Sequence, residues 1–258
     1  MVRELEGRTE LIIKQSRRGW FQECCGCEAK TAFRVAPADQ PRAYEFFVLE
    51  DSDCCLRLCC PMVRPWTTTL SLGGEEGGES LVLYERPLRC APGPMKCCCY
   101  QEVSVVDARD RTNLGFVREQ FYCCVPAMAV HDASGAMLQV VHQPTCFCGL
   151  CVNPCDARGG GCCKVPFYIY PASSVSPQSR TGEAEADEPV GKVVKVFGGL
   201  ARELLTDADT FLLSAPVGSS GVEVARLMGV ALLINELYFE SYAAGNTGEG
   251  DEGRSSML

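Results

Sequence analysis

From Glu10 to about residue 215 the chain repeats one unit, a short run of β-branched and aromatic residues followed by polar turn residues, and then ends on one long apolar helix. That order restricts the fold to an all-β sandwich or barrel that must accommodate a hydrophobic helix. The stronger runs are Ala43–Leu49, Thr67–Leu72, Ser80–Glu85, Gln101–Asp107, Gly115–Tyr122, Ala136–Val141, Val165–Tyr170 and Val190–Phe197. Weaker ones at Glu10–Lys14, Thr31–Val35, Ala127–Asp132 and Phe211–Ser214 bring the count to about twelve. Turns such as Asp110–Asn113 and Ala133–Gly135 have hairpin lengths, so a meander is the simplest topology.

The helical segment Val222–Phe239 would be about 27 Å long at 1.5 Å per residue, close to the roughly 20 residues a membrane span needs. Only Leu227–Ile234 is uninterrupted, however, and Asn235 and Glu236 lie deep in the segment. A charge there costs about 2.5–3.5 kcal/mol on insertion into a bilayer. Val222, Leu227, Leu232, Ile234 and Phe239 are therefore read as a helix threaded through a protein interior, in preference to a span. The organisation expected is a short segment 1–9, one barrel-type domain 10–241 with core helix 222–239, and a disordered tail 242–258. Leu200–Leu205 reads as a short helix, and the Ser/Pro-rich, acidic stretch 171–189 reads as a flexible loop.

Thirteen of the 19 cysteines are adjacent to another, as in Cys24–Cys25, Cys54–Cys55, Cys97–Cys98–Cys99 and Cys123–Cys124. Neighbouring cysteines rarely bridge, because a disulfide wants Cα atoms roughly 5.5 Å apart with converging Cβ vectors. Met1–Arg8 carries charges and no apolar run, so it does not read as a secretory signal, and reduced cytosolic thiols are expected. Lipid attachment suits such clusters better than disulfides. Cys146, Cys148, Cys151 and Cys155 include a CxxC and are compatible with a tetrahedral zinc site, with further acylation, or with passive packing.

The net charge of −9 sits largely in flexible acidic segments, around Glu75, Glu183 and Glu249, so the folded body is near neutral. No nucleic-acid partner is expected. Neither a phosphate loop, a nucleophile elbow nor a paired-acid constellation occurs, and the two histidines, His131 and His142, read as cross-strand structural residues that could face each other.

Glu50–Cys60, Arg64–Thr67, Glu85–Cys90 and above all Arg202–Phe211, followed by the apolar helix ending Phe239–Glu240–Ser241, resemble the phospholipid scramblase family. The resemblance implies a twelve-stranded closed antiparallel barrel around a central C-terminal helix, as in tubby-like proteins. It also implies calcium-stimulated, ATP-independent, bidirectional movement of membrane phospholipids between leaflets, by a lipid translocator and not an enzyme. Localisation at the cytoplasmic face of the plasma membrane is implied, although family members are also described as single-pass proteins through this helix. Cys97, Cys98 and Cys99 align with the family's palmitoylated cysteine run, and Arg86, Arg89 and Lys96 nearby are expected to favour anionic head groups. Two or three acyl chains, at about 0.8 kcal/mol per buried methylene, suffice for stable anchoring.

The family's calcium loop aligns with Asp207, Asp209, Phe211, Leu213, Ala215 and Gly218. Only two of these are carboxylates and the closing acid is missing, so Ca²⁺ binding at the weak end, about 10⁻⁴–10⁻³ M, is expected. Gly191–Leu200, aligned with a nuclear-import segment, reads as a strand. Outside the family, a tethered adaptor without translocation activity and a zinc-binding cysteine-rich protein are the alternatives.

Overall fold

In the computed structural model, residues 2–16, 30–59, 63–90, 93–146, 151–153, 164–174, 188–197 and 210–240 are described. The strands are β1 (Glu10–Ser16), β2 (Ala32–Pro37), β3 (Phe46–Asp51), β4 (Trp66–Leu72), β5 (Ser80–Arg86), β6 (Glu102–Asp107) and β7 (Asn113–Glu119). They continue with β8 (Ala127–His131), β9 (Met137–His142), β10 (Thr145–Cys146), β11 (Cys151–Val152), β12 (Lys164–Pro171), β13 (Gly191–Val196) and β14 (Thr210–Ser214). Among the described residues two α-helices join them, α1 (Cys54–Cys59) and α2 (Gly221–Asn235), the latter extended by a π-helical turn, Glu236–Glu240.

Twelve strands close an antiparallel barrel in the order β1 to β9, then β12, β13 and β14, which pairs back onto β1 from Glu10↔Ser214 to Lys14↔Thr210. Barrel neighbours follow one another along the chain, apart from the inserted hairpin between β9 and β12 and the closing pair β14–β1, so the expected meander and all twelve runs are found. The short hairpin β10–β11 stands apart. Period-2 alternation sets the inner face: Val48, Leu70, Val82 and Val105 are all fully buried on successive strands. Because the chain runs up and down, the connections β1–β2, β3–β4, β5–β6, β7–β8, β9–β12 and β13–β14 open on one end of the barrel, and the others on the opposite end.

Helix α2 fills the barrel. Ser220 caps it, its hydroxyl accepting from the Glu223 N–H at 3.3 Å, and Leu227, Met228, Val230, Leu233 and Ile234 are all fully buried. A helix apolar on every side needs protein on every side, which a closed barrel supplies. The Tyr84 hydroxyl donates to the Ala225 carbonyl at 3.0 Å, and Arg226 Nε donates to the Leu114 carbonyl at 2.6 Å, so these two polar groups at the interface are paired. Burial pushes the Tyr84 phenol far up.

Segment 1–9 is part of this packing and not merely a lead-in. Val2 and Leu5 join the core, and a Cβ at Gly221 would come within 2.0 Å of the Val2 carbonyl, so only glycine lets the helix start against this turn. Gly115, at φ +129°, occupies an irregularity of the β6–β7 pairing, where a Cβ would meet the His131 carbonyl at 2.3 Å.

Helix α1 is absent from the sequence reading. Its cysteine-rich turn has no apolar period, but Asp53 Oδ1 accepts from the N–H groups of Cys55 (2.9 Å) and Leu56 (3.1 Å), an N-cap signal that was present in the text. The expected helix 200–205, most of loop 171–189 and the tail from 242 lie outside the described residues.

The histidines do not face each other. His142 opposes Ala127 and His131 opposes Met137, placing them at opposite ends of the β8–β9 hairpin. His131 stacks on Phe116 at 4.5 Å and His142 on Tyr170 at 4.8 Å, structural roles as expected. Burial depresses both imidazoles below 6.5. The neutral forms are thus favoured in the fold and the unfolded chain binds more protons, so stability is present above pH 6.5 and is lost as pH falls through 6.5 toward the depressed folded values. Urea midpoints should drop across this interval, and His142→Phe, which keeps a ring against Tyr170, should flatten the dependence. An unchanged slope in His142→Phe would assign the effect elsewhere.

Candidate functional site

At the end of the barrel where β3, β5 and β7 finish and α2 exits, the inward positions change from apolar to charged. Arg64 Nη1 lies 2.9 Å from Glu236 Oε1, and its Nη2 lies 3.1 Å from Glu50 Oε1, with all three side chains no more than 7% exposed. Arg86 Nη2 donates to Gln101 Oε1 at 2.6 Å, and Arg86 Nη1 donates to the Arg64 carbonyl. The Gln101 N–H donates to Glu119 Oε2 at 3.0 Å, and Lys96 Nζ sits 2.7 Å from the same carboxylate. Three cations and three anions balance in this layer, as buried charges require. Burial lowers the Arg86 guanidinium, with Glu236 opposing that shift. Tyr122, beside Glu119, is pushed up to about 12 by burial and by that carboxylate.

This layer explains the charge within the apolar helical segment: Glu236 has Arg64 waiting for it. Beside it, Lys195 is fully buried, its ammonium 4.9 Å from the ring centres of Phe211 and Phe239 and 5.4 Å from that of Phe197. Residues 191–196 form β13, the strand that the sequence indicated.

The β5–β6 connection lies over the charged layer. Cys97 and Cys98 are exposed and Cys99 is half-buried at φ +58°. The Cys90 N–H donates to Cys99 Sγ at 3.0 Å. Hydrogen bonding from Cys90, with Arg89 and Lys96 nearby, lowers the Cys99 thiol, whereas the hydrogen bond to Cys97 raises Cys98. Arg86, Arg89 and Lys96 do not form the basic surface expected of them. Arg86 is buried, Lys96 is held by Glu119, and Arg89 lies 3.3 Å from Glu102.

Asp207 and Asp209 lie outside the described residues, as do Cys148 and Cys155. Phe211 and Leu213 are buried in β14, paired on both sides with β1 and β13. Ala215 follows that strand, and Gly218, at φ +82°, sits in the turn before α2, at the end of the barrel opposite Thr210. Cys146 and Cys151 are register partners in the β10–β11 hairpin. Among the described residues no cluster of three or more His, Cys, Asp or Glu is placed to hold a metal. Leu227, Leu232 and Ile234 are buried, Val222 and Phe239 pack against the core, and no described helix is long and apolar enough to cross a membrane.

The family model for scramblases matches residues 2–156 and 178–241. This chain belongs to the scramblase family. It is 28% identical to human phospholipid scramblase 1 over 219 residues, which is 84% of this chain and 58% of that protein. Bovine phospholipid scramblase 2 is 26% identical, covering 83% of this chain and 63% of the relative. Human phospholipid scramblase family member 5 is 22% identical over 242 residues, 94% and 78% of the two chains. The chain thus spans somewhat under two-thirds of the first two relatives. No solved structure matches it.

The scramblase motifs Glu50, Arg64–Trp66 and Arg86 fall on the charged layer, a grouping that sequence reasoning did not make. Glu50 and Arg86 lie in strands and Arg64 two residues before β4, and a charge buried there demands a partner; that was the available signal.

Proposed function

We propose that this chain moves phospholipids between membrane leaflets in both directions, without ATP, as a lipid translocator and not an enzyme. The observation that carries this reading is the scramblase match across both halves of the barrel and the core helix. Palmitate at Cys97, Cys98 and Cys99 holds it at the cytoplasmic face of the plasma membrane. Calcium stimulation rests on Asp207 and Asp209 with carbonyls at the adjoining start of β14, a sparse set that places affinity at about 10⁻⁴–10⁻³ M.

A second reading has an observation in its favour. Helix α2 fills the barrel, leaving no route for a lipid through its centre, which suits a tethered adaptor that binds lipid or protein without translocation. The full chain reconstituted into liposomes with one leaflet labelled separates the two. Translocation predicts that label becomes accessible in the opposite leaflet without ATP, faster with calcium and less so in Asp207→Ala. Label that stays in its leaflet with calcium present establishes the adaptor. Calorimetry with calcium alone tests the ion site independently, and absence of wild-type binding removes it.

A further inference from the structure

Nine cysteines with described side chains share one end of the barrel. Cys54, Cys55 and Cys59 lie in the β3–β4 connection, Cys90 and Cys97–Cys99 in β5–β6, and Cys123 and Cys124 in β7–β8. None is buried, and no barrel strand contains a cysteine, so packing does not account for them. In sequence the other ten fall between β1 and β2, after Cys59 in the β3–β4 connection, or between β9 and β12, strand ends that open on the same end. The opposite connections have no cysteine at all.

Charge divides the same way. Counted by sequence over the same connections, the cysteine end carries seven acids against nine Lys and Arg residues. The opposite connections carry eleven acids against four arginines, so the net charge is positive at the cysteine end and negative at the other. An anionic bilayer surface repels the second end and accepts the first.

Successive connections on this end are two strands apart, about 10 Å at the usual strand spacing. One tethered connection leaves a barrel free to tilt, whereas three spread around a rim define a plane. We propose that the cysteine rim is a lipid-docking face acylated at several connections, with Cys54, Cys55, Cys59, Cys123 and Cys124 as acceptors beyond Cys97–Cys99, so that the barrel stands end-on with the exit of α2 toward the bilayer. The inference rests on the scramblase reading only for its lipid partner. Each transfer takes the acyl group of a long-chain acyl-CoA: the cysteine thiolate attacks the thioester carbonyl, a new S–C bond forms, and the CoA thiolate leaves and takes up the proton, with no redox change.

Thioester sites can be counted in the full chain from mammalian cells by blocking free thiols, cleaving with hydroxylamine and tagging the released thiols with a polyethylene glycol maleimide. Serine at Cys54, Cys55, Cys59, Cys123 and Cys124 together should shorten the tag ladder, and Cys97→Ser/Cys98→Ser/Cys99→Ser should retain hydroxylamine-dependent tags. A five-serine variant with the wild-type ladder, or a triple variant with none, overturns the proposal; thermal melts verify that both fold. For orientation, acylated protein carrying Phe121→Trp or Val217→Trp, on opposite ends, is bound to phosphatidylcholine/phosphatidylserine vesicles containing brominated lipid. Quenching beyond wild type is expected for Phe121→Trp alone, and equal quenching of both overturns the end-on pose. Leaflet exchange with an unchanged five-serine ladder would defeat this inference and leave the scramblase reading standing; the shortened ladder without exchange would do the reverse.

Discussion

Arg64→Ala should destabilise the barrel by about 3–5 kcal/mol, read as a fall in the urea midpoint under reducing conditions, because it strands two buried carboxylates at once. Arg64 bridges Glu50 on β3 and Glu236 at the end of α2, across 172 positions of sequence, and is itself 4% exposed. Neither acid can turn to water without opening the barrel end. The pair geometry does not by itself imply net stabilisation, since desolvating three charges offsets most of their attraction. Replacing all three together, with Glu50→Leu, Arg64→Met and Glu236→Leu, should therefore cost much less than the single substitution. A single variant within about 1 kcal/mol of wild type would show that this end of the barrel is wet and its charges are solvated. The cluster also orients the core: it fixes the exit of α2 at the end that carries the cysteines.

The twelve barrel strands were legible because each is a short run rich in β-branched and aromatic residues, and the meander because several are joined by turn residues of hairpin length. The core helix was legible for a different reason. Glu236 argued against a membrane span, and that was correct, but the residue satisfying it lies on the far side of the sequence, where no local pattern points. Helix α1 was missed because six residues carry too little period to outweigh their cysteines; only the Asp53 cap announced it. For the thiols, clustering was visible in one dimension and their convergence was not. Five connections became one rim only after the up-and-down order of the strands was known. The expected basic patch failed because proximity in sequence does not reveal that Lys96 turns inward to Glu119 while its neighbours Cys97 and Cys98 turn outward.

Leu233→Asp should abolish the cooperative unfolding transition. Leu233 is fully buried in the middle of the last turns of α2, in the core cluster with Ile13, Phe211 and Val193 as fellow members. An aspartate there replaces packed methyl groups by a carboxylate, and the combined loss of packing and uncompensated charge exceeds about 4–5 kcal/mol, a large part of the 5–15 kcal/mol that holds a domain folded. A graded series decides what kind of environment the helix occupies. In a close-packed barrel Leu233→Met should cost under about 1.5 kcal/mol and Leu233→Ala about 2–5 kcal/mol, the difference being the cavity that surrounding strands cannot close. A helix facing fluid acyl chains leaves no such cavity, since lipid fills the vacated volume, so Leu233→Ala there would behave almost like Leu233→Met. The steepness between methionine and alanine, measured on one residue, therefore separates a core helix from a lipid-facing one without reference to where the protein is found.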